Sequence, residues 1–350
     1  MTHMAPPSTL VAMSLLLLST ALLTQAHAAE PTDLPPKMTG DARLGYTFDQ
    51  AWLPLEESQE SVGDLTLQDQ QLGLGATFTV IDGLAVFLEI PIHLRSRATF
   101  GDAQEMGWDP HGETGTLLTG NPLDPQPDAV NGTGVGGIWL GVKGTPLSEN
   151  WGHRSTWLFE MALRTPDKTS FWAETDKGRG AGPGAAAFRF TTAFSTTRGI
   201  VQPYLIAQLL RQGTQEVGLD NGTADVEPGR SATFATGMEI LAAEDAQRSS
   251  SFSMDFRAGF SYHSYAELPS GVYLPSVLSS SAGSLVTQGE YSTASAGLGA
   301  TWQFMPELKA NLHTGIEWRS PYRLEEPYPV YTGPRNLGMT AGLSFTYLYR

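Results

Sequence analysis

After residue 40, apolar and polar residues alternate along most of the chain with a period of two. Successive side chains of a β-strand point to opposite faces, so this period predicts strands with one apolar and one polar face. The segment 252–262 shows the pattern most clearly, with the sequence FSMDFRAGFSY. Twelve strands of about ten residues are predicted, the length that a tilted strand needs to cross a membrane. They lie at 42–49, 72–80, 84–94, 138–142, 157–163, 188–194, 201–211, 232–242, 252–262, 292–304, 308–318 and 337–349.

The connections between the predicted strands alternate between long and short. The long ones lie at 53–68, 95–132, 165–184, 212–231, 264–290 and 319–335, and the short ones at 81–83, 144–153, 195–199, 243–250 and 305–307. Outer-membrane barrels have short periplasmic turns and longer extracellular loops. With an even number of strands, this asymmetry predicts a barrel with both ends of the chain on the periplasmic side.

Two architectures fit the alternation itself, a soluble β-sandwich and a membrane β-barrel. A sandwich buries its apolar face, whereas a barrel turns that face to lipid and closes so that no backbone edge remains. Aromatic residues at the strand ends favour the barrel, because such residues gather at the two membrane interfaces. They are Phe48, Trp52, Trp157, Phe194, Phe252, Tyr262, Trp302, Phe304, Trp318, Tyr347 and Tyr349.

The expected fold is therefore all-β, a membrane β-barrel of about 12 antiparallel strands with short periplasmic turns and long extracellular loops. The expected location is the cell outer membrane. Outer-membrane lipid and lipopolysaccharide would then be the surroundings of the barrel wall.

The composition excludes several classes of function. The chain has no Cys, which excludes disulfide scaffolds, thiolate zinc sites, iron–sulfur clusters and cysteine catalysis. Its net charge of -15 argues against a nucleic-acid partner, since nucleic-acid binders carry a basic patch. The six long connections together carry -12 of that charge. The acidity is thus predicted to belong to the extracellular rim, where it favours cations, including those that bridge lipopolysaccharide.

The first 29 residues predict a signal peptide. Leu10–Leu23 is apolar but too short to span a bilayer comfortably, and the small-residue segment 26–29 follows it. The segment before it departs from the usual pattern, because it carries His3 but no Lys or Arg. A short membrane anchor is the alternative. The predicted organisation is a signal peptide at 1–29, a periplasmic N-terminal segment at 30–41 and an outer-membrane β-barrel at 42–350.

Three segments carry a resemblance to known sequences. They are LEIPI at 88–92, the glycine-rich GVGGIWLGVK at 134–143, and LRTPD at 163–167 followed by the glycine-rich 178–184. These segments resemble the family of outer-membrane transporters associated with phenol meta-pathway degradation. The resemblance implies a barrel that moves hydrophobic or aromatic compounds across the outer membrane. It implies no defined catalytic residues.

The final strand carries a second resemblance. Phe345, Tyr347 and Tyr349 stand at every second position, which resembles the carboxy-terminal insertion signal of outer-membrane proteins. That resemblance implies the barrel-assembly machinery as a partner during insertion. The signal usually ends on an aromatic residue, whereas Arg350 follows here.

The polar faces of the predicted strands carry charges of both signs. Charged rings set the preference of a pore, so these residues are candidates for a solute path. The same mixture fits a salt-bridged plug that stabilises the barrel wall. The candidates are Glu89, His93, Lys143, Glu160, Arg164, Arg189, Asp255, Arg257, His263, His313 and Glu317.

The predicted function is a passive outer-membrane channel for a small-molecule solute, hydrophobic or aromatic, with no cofactor, no metal and no catalytic residue. One alternative is an outer-membrane lipid hydrolase that uses His263 or His313. The adjacent His263 and Ser264 would point to opposite faces of a strand, so they would not form a hydrogen-bonded dyad. The other alternative is a plugged structural or adhesive barrel that displays acidic loops.

Overall fold

The computed structural model describes residues 34, 38–57, 60–101, 129–166, 184–219, 222–245, 249–269, 285–325, 330–333 and 336–349. The predicted signal peptide at 1–29 lies outside these residues. So do the centres of the predicted long connections at 95–132, 165–184 and 264–290.

Nineteen strands and one 3-10 helix, Glu149–Trp151, make up the described chain. The strands are β1 Gly40–Glu57, β2 Glu60–Ile81, β3 Leu84–Gly101, β4 Ala129–Val135, β5 Trp139–Leu147, β6 Thr156–Arg164, β7 Ala187–Ser195, β8 Val201–Gln212, β9 Gln215–Leu219, β10 Gly222–Val226, β11 Ser231–Asp245, β12 Ser250–His263, β13 Ala266–Pro269, β14 Leu285–Gln288, β15 Tyr291–Met305, β16 Leu308–Arg319, β17 Tyr322–Glu325, β18 Val330–Gly333 and β19 Asn336–Tyr349.

The longer strands form a closed antiparallel barrel with twelve positions in its wall. In order around the wall they are β1, β2, β3, β4 with β5, β6, β7, β8, β11, β12, β15, β16 and β19. The first and last strands close the barrel, since β1 pairs with β19 from Gly40↔Tyr349 to Trp52↔Leu337. The predicted all-β fold of twelve antiparallel strands is confirmed.

The strands on the long-connection side extend further than the alternation predicts. The predicted connection 53–68 is largely strand, because β1 runs to Glu57 and β2 begins at Glu60. Beyond the bilayer both faces of a strand meet water, so the alternation that marks a lipid-facing strand is lost there. Three hairpins, β9–β10, β13–β14 and β17–β18, also stand within connections on this side.

The fourth wall position is interrupted, although the sequence predicts one strand there. Both β4 and β5 pair with β3, and residues 136–138 between them belong to no strand. Neighbouring groups satisfy the interrupted backbone: the Gly136 amide donates to the Pro91 carbonyl at 2.9 Å, and the Ile138 amide to Thr165 Oγ1 at 3.0 Å. Pro91 has no amide hydrogen to donate to the neighbouring position, and the pairing of β3 with β4 shifts register nearby, between His93 and Ser96.

The outer surface of the wall is apolar. Leu163 on β6 is 64% exposed, and Leu312 inside β16 is 58% exposed. A soluble protein rarely leaves so continuous an apolar surface open to water. Other exposed residues of this surface are Leu44, Leu74, Leu140, Leu209, Phe234, Phe260, Leu298 and Leu343.

Aromatic residues border the apolar surface at both ends of the barrel. Near the short turns these are Trp157, Phe194, Trp302, Phe304, Tyr347 and Tyr349, and near the long connections Trp52, Tyr262 and Trp318. Trp302 and Phe304 stack with ring centroids 4.5 Å apart. Such girdles mark the two interfaces of an outer-membrane barrel.

The protein is a transmembrane β-barrel of the outer membrane, as the sequence predicts. Its short turns mark the periplasmic rim and its long connections the extracellular rim. Among the described residues, no helix has the length and apolar character needed to cross a membrane.

A charge placed on the lipid face tests this orientation. Leu312→Arg puts a guanidinium near the middle of β16, where the side chain meets hydrocarbon. We expect the free energy of unfolding to fall by about 2 to 4 kcal/mol, because that is the cost of a basic side chain at the bilayer midplane. Reversible unfolding in phospholipid vesicles measures the change.

Leu308→Arg is the matched control. Leu308 begins β16 next to a short turn, where a long basic side chain reaches the interface, and we expect a loss of about 0 to 1 kcal/mol. Equal losses for the two variants would contradict the assigned bilayer position.

Candidate functional site

The eleven candidate residues all lie on wall strands with their side chains toward the lumen, and they fall into separate groups. Glu89, Lys143, Glu160, Arg164 and Arg189 lie on β3, β5, β6 and β7. Asp255, Arg257, His313 and Glu317 line a cavity on the opposite side of the lumen. His93 lies on β3 and His263 at the extracellular end of β12.

Arg189 is the centre of the first group, which we name the Arg189 cluster (Phe87, Glu89, Trp139, Lys143, Glu160 and Arg189). Its Nε donates to Glu160 Oε1 at 2.9 Å and its Nη2 to Glu89 Oε2 at 3.0 Å. Lys143 Nζ lies 3.3 Å from the other oxygen of Glu160. Each carboxylate therefore faces a cation, which offsets the cost of removing the charges from water.

Two aromatic rings complete the Arg189 cluster. The guanidinium carbon of Arg189 lies 4.6 Å from the Trp139 ring centroid, and Lys143 Nζ lies 4.5 Å from that of Phe87. Trp139 is fully buried. Cations over ring faces are attracted by the ring quadrupole, most strongly when water is excluded.

Arg164 extends the same filled region toward the extracellular rim. Its Nη2 donates to the Ala185 carbonyl at 2.8 Å and to Gln212 Oε1 at 3.1 Å. Large side chains also cover the glycines of the filled region: a Cβ on Gly141 would overlap the ring of Phe87. The half of the lumen bounded by β3, β5, β6 and β7 is thus filled by side chains.

The other half of the lumen contains a cavity, because many of its inward positions carry small residues. Gly297 and Gly315 are register partners on β15 and β16, and Gly259, Ser295 and Gly338 stand on neighbouring positions. A Cβ on Gly338 would have its nearest neighbour at 3.6 Å, so no side chain covers this glycine. The empty space amounts to about 920 Å³, including space continuous with solvent.

Charged groups face this cavity among the small residues. Asp49, Asp255 and Glu317 supply carboxylates, Arg257 a guanidinium and His313 an imidazole. Asp255 accepts a hydrogen bond from the hydroxyl of Tyr204 at 2.8 Å. The lining combines glycines and small side chains with a few fixed polar groups, which is the composition of a small-molecule site.

His93 belongs to a separate group near the interrupted wall position. Its Nδ1 lies 3.0 Å from Asp69 Oδ1, and the Ser96 hydroxyl donates to the same oxygen at 2.5 Å. Serine and histidine thus share the carboxylate instead of bonding each other. This arrangement orients the imidazole but does not pair it with the hydroxyl, as a serine nucleophile requires.

His263 ends β12 at the extracellular rim and does not pair with the neighbouring serine. Its ring stacks on Tyr291 with centroids 4.4 Å apart and an interplanar angle of 3°. The Ser264 hydroxyl instead accepts a hydrogen bond from the Arg230 amide at 2.8 Å. In the described part of the chain, no group of three or more acidic or histidine side chains is arranged to hold a metal ion.

Sequence reasoning missed several residues of these groups. Asp49 follows the inward parity of its predicted strand, so the alternation was sufficient to find it, whereas Asp69 lies three residues before the predicted strand 72–80. Tyr291, Arg319 and Asn336 each lie one residue beyond a predicted strand boundary, which hid their inward orientation.

No family model and no curated protein matches the sequence. Among solved structures, an outer-membrane channel from Pseudomonas putida F1 is similar, with a TM-score of 0.54 and 12% identity over 91% of this chain and 98% of the channel. At this identity the likeness shows a shared barrel fold.

Two further structures are less similar. A mutant of the TodX monoaromatic hydrocarbon channel gives a TM-score of 0.47 and 8% identity over 93% of both chains. A FadL homologue from Pseudomonas aeruginosa gives a TM-score of 0.42 and 11% identity over 97% of this chain and 99% of the homologue.

Removal of the central cation tests the structural role of the Arg189 cluster. Arg189→Met leaves the buried Glu160 and the half-buried Glu89 with less compensation, and we expect the free energy of unfolding to fall by about 3 to 5 kcal/mol. Urea unfolding of the barrel in lipid vesicles measures the loss.

The matched control is Arg198→Met, because Arg198 is exposed in a short periplasmic turn. We expect this variant to lie within about 0.5 kcal/mol of the original chain. A loss below about 1 kcal/mol for Arg189→Met would contradict a cluster that supports the wall.

Proposed function

We propose that the protein is a passive channel that moves small solutes across the outer membrane. The observation that carries the proposal is the cavity beside the filled half of the lumen, lined by residues of β1, β11, β12, β15, β16 and β19. A barrel serving only as a wall or a platform gains nothing from glycines at inward positions, because filled positions pack better.

The fold supports the proposal in a second way. The structurally similar protein from Pseudomonas putida F1 is an outer-membrane channel and is matched over nearly its whole length. A fold alone does not specify function, so the argument depends on the cavity and its lining.

The solute class inferred from the family resemblance is hydrophobic or aromatic compounds. The cavity lining adds to that expectation, because Ala235 and several glycines stand beside the carboxylates and Arg257. Such a lining suits a solute with an apolar body and a polar group better than a pure hydrocarbon, which would leave the charged groups without water or partners.

The hydrolase alternative lacks a supporting arrangement among the described residues. The Nε2 atoms of His263 and His313 are buried without a hydrogen-bond partner, and His93 bonds to Asp69. The plugged-barrel alternative agrees with the Arg189 cluster but not with the open half of the lumen.

Narrowing the cavity tests the channel. Gly338→Phe adds a ring at an inward position that is open in the structure, and we expect the rate of solute entry to fall severalfold because the open cross-section shrinks. Liposome swelling with small solutes and planar-bilayer conductance measure the change.

Ala341→Phe is the matched control, since Ala341 lies on the same strand but is exposed on the lipid side. Flux equal to that of the original chain is expected for it. A barrel with no flux for any small solute would remove the channel proposal, and equal flux in Gly338→Phe would show that the cavity is not the path.

A further inference from the structure

Four adjacent wall strands each carry a buried inward residue at their extracellular end. We name these residues the rim band: His263 ends β12, Tyr291 begins β15, Arg319 ends β16 and Asn336 begins β19. Register connects them, because His263 pairs with Tyr291 and Arg319 with Asn336. Their exposed fractions are 4%, 3%, 2% and 8%.

The rim band is held together by ring contacts. His263 stacks on Tyr291, and the guanidinium carbon of Arg319 lies 4.9 Å from the centroid of the Tyr291 ring. Arg319 also forms an ion pair with Glu317, with Nη2 and Oε1 3.5 Å apart. The guanidinium is therefore positioned by Tyr291 and Glu317.

Three residues of the rim band, His263, Arg319 and Asn336, have buried donor nitrogens without an acceptor. None of the three guanidinium nitrogens of Arg319 has a partner with hydrogen-bond geometry, and neither does Nδ2 of Asn336. The Nε2 atom of His263 is buried without a partner as well. The Glu317 ion pair supplies charge compensation for Arg319 but no close hydrogen bond.

Buried donors without acceptors are costly, and the cost is larger for a charged group. Arginine cannot lower this cost by losing its proton, since its pKa lies too far above physiological pH. Acceptors from a bound molecule would remove this cost for Arg319 and Asn336, which are register partners. A planar guanidinium fork matches two oxygens of a carboxylate or phosphate.

The rim band also adjoins the cavity on its extracellular side. Ser261, Glu317 and Gly338 line the cavity, and each stands two residues from a member of the rim band on the same strand. Residues two apart on a strand share a face and lie about 7 Å apart. The rim band is therefore one inward position, about 7 Å along each strand, from residues that line the cavity.

We infer that the rim band is a binding site for a small solute that carries an oxyanion group, with Arg319 and Asn336 donating to its oxygens. This inference rests on the proposed function, because the site adjoins the cavity of the proposed path. The long connections at this rim carry a net charge of -12, which repels anions at long range. Selection of an anion therefore depends on direct hydrogen bonds from Arg319 and Asn336.

Calorimetric titration of the folded full chain in detergent micelles tests the site. The probes are benzoate, inorganic phosphate and the neutral benzyl alcohol. We expect benzoate to bind and benzyl alcohol to bind at least about tenfold more weakly, because the charge-assisted bonds are lost. Displacement of benzoate by phosphate identifies the oxyanion itself as the ligand, and benzoate binding without displacement narrows the ligand to carboxylates.

Two arginine variants give the matched comparison. Arg319→Gln is expected to weaken benzoate binding about tenfold or more. Arg43→Gln is expected to leave benzoate binding unchanged, because Arg43 lies at the periplasmic end of the lumen, where its Nε is 2.8 Å from Asp41 Oδ1. Equal binding of benzoate to the original chain and to Arg319→Gln would overturn the inference, as would no binding of benzoate or phosphate.

A stability measurement separates ligand binding from a structural role. Benzoate is expected to raise the unfolding midpoint of the original chain by linkage, and to have no effect on Arg319→Met. An equal rise in both would overturn the inference. The flux of neutral solutes is measured on the same preparations. A barrel that conducts neutral solutes but binds no oxyanion would contradict only this inference. A barrel that binds benzoate but conducts no solute would contradict only the proposed function.

Discussion

Lipid offers no hydrogen-bond partner to a peptide backbone, and the structure follows from this constraint. Every wall strand needs a neighbour on each side, so the sheet has to close, and β1 against β19 is the pairing that closes it. Closure fixes an outside and an inside. The apolar residues then meet hydrocarbon, and the eleven candidate side chains are directed into the lumen.

The two halves of the lumen accommodate charged side chains in different ways. Around Arg189, large side chains and both signs of charge pack together, so the carboxylates of Glu89 and Glu160 are neutralised by direct contact. Around Gly297 and Gly315, small residues leave space and the polar groups face a cavity. The filled half packs side chains against the wall, and the open half leaves space inside the lumen. The same two-residue alternation encodes both halves.

The alternation was enough to predict the strand number, the two faces and the rim that carries the long connections, because these depend on local sequence. Contacts inside the lumen depend on register around the whole wall: Arg189 meets Glu89 from 100 residues away. The filled and open halves therefore could not be distinguished. At the extracellular rim the alternation fades as strands leave the lipid, which is why Arg319 fell one residue outside its predicted strand. The interruption at 136–138 follows from backbone irregularity opposite Pro91, which the period does not reveal.

The cavity is built from both ends of the chain. Asp49 comes from the first strand, and Gly338 and Thr340 come from the last, so the lining is incomplete until β1 has found β19. A partly inserted sheet would hold the Arg189 cluster, whose residues lie on consecutive strands, but no finished passage. In the proposed channel, permeability is thus linked to the final step of assembly, because a barrel that has not closed lacks the complete cavity lining.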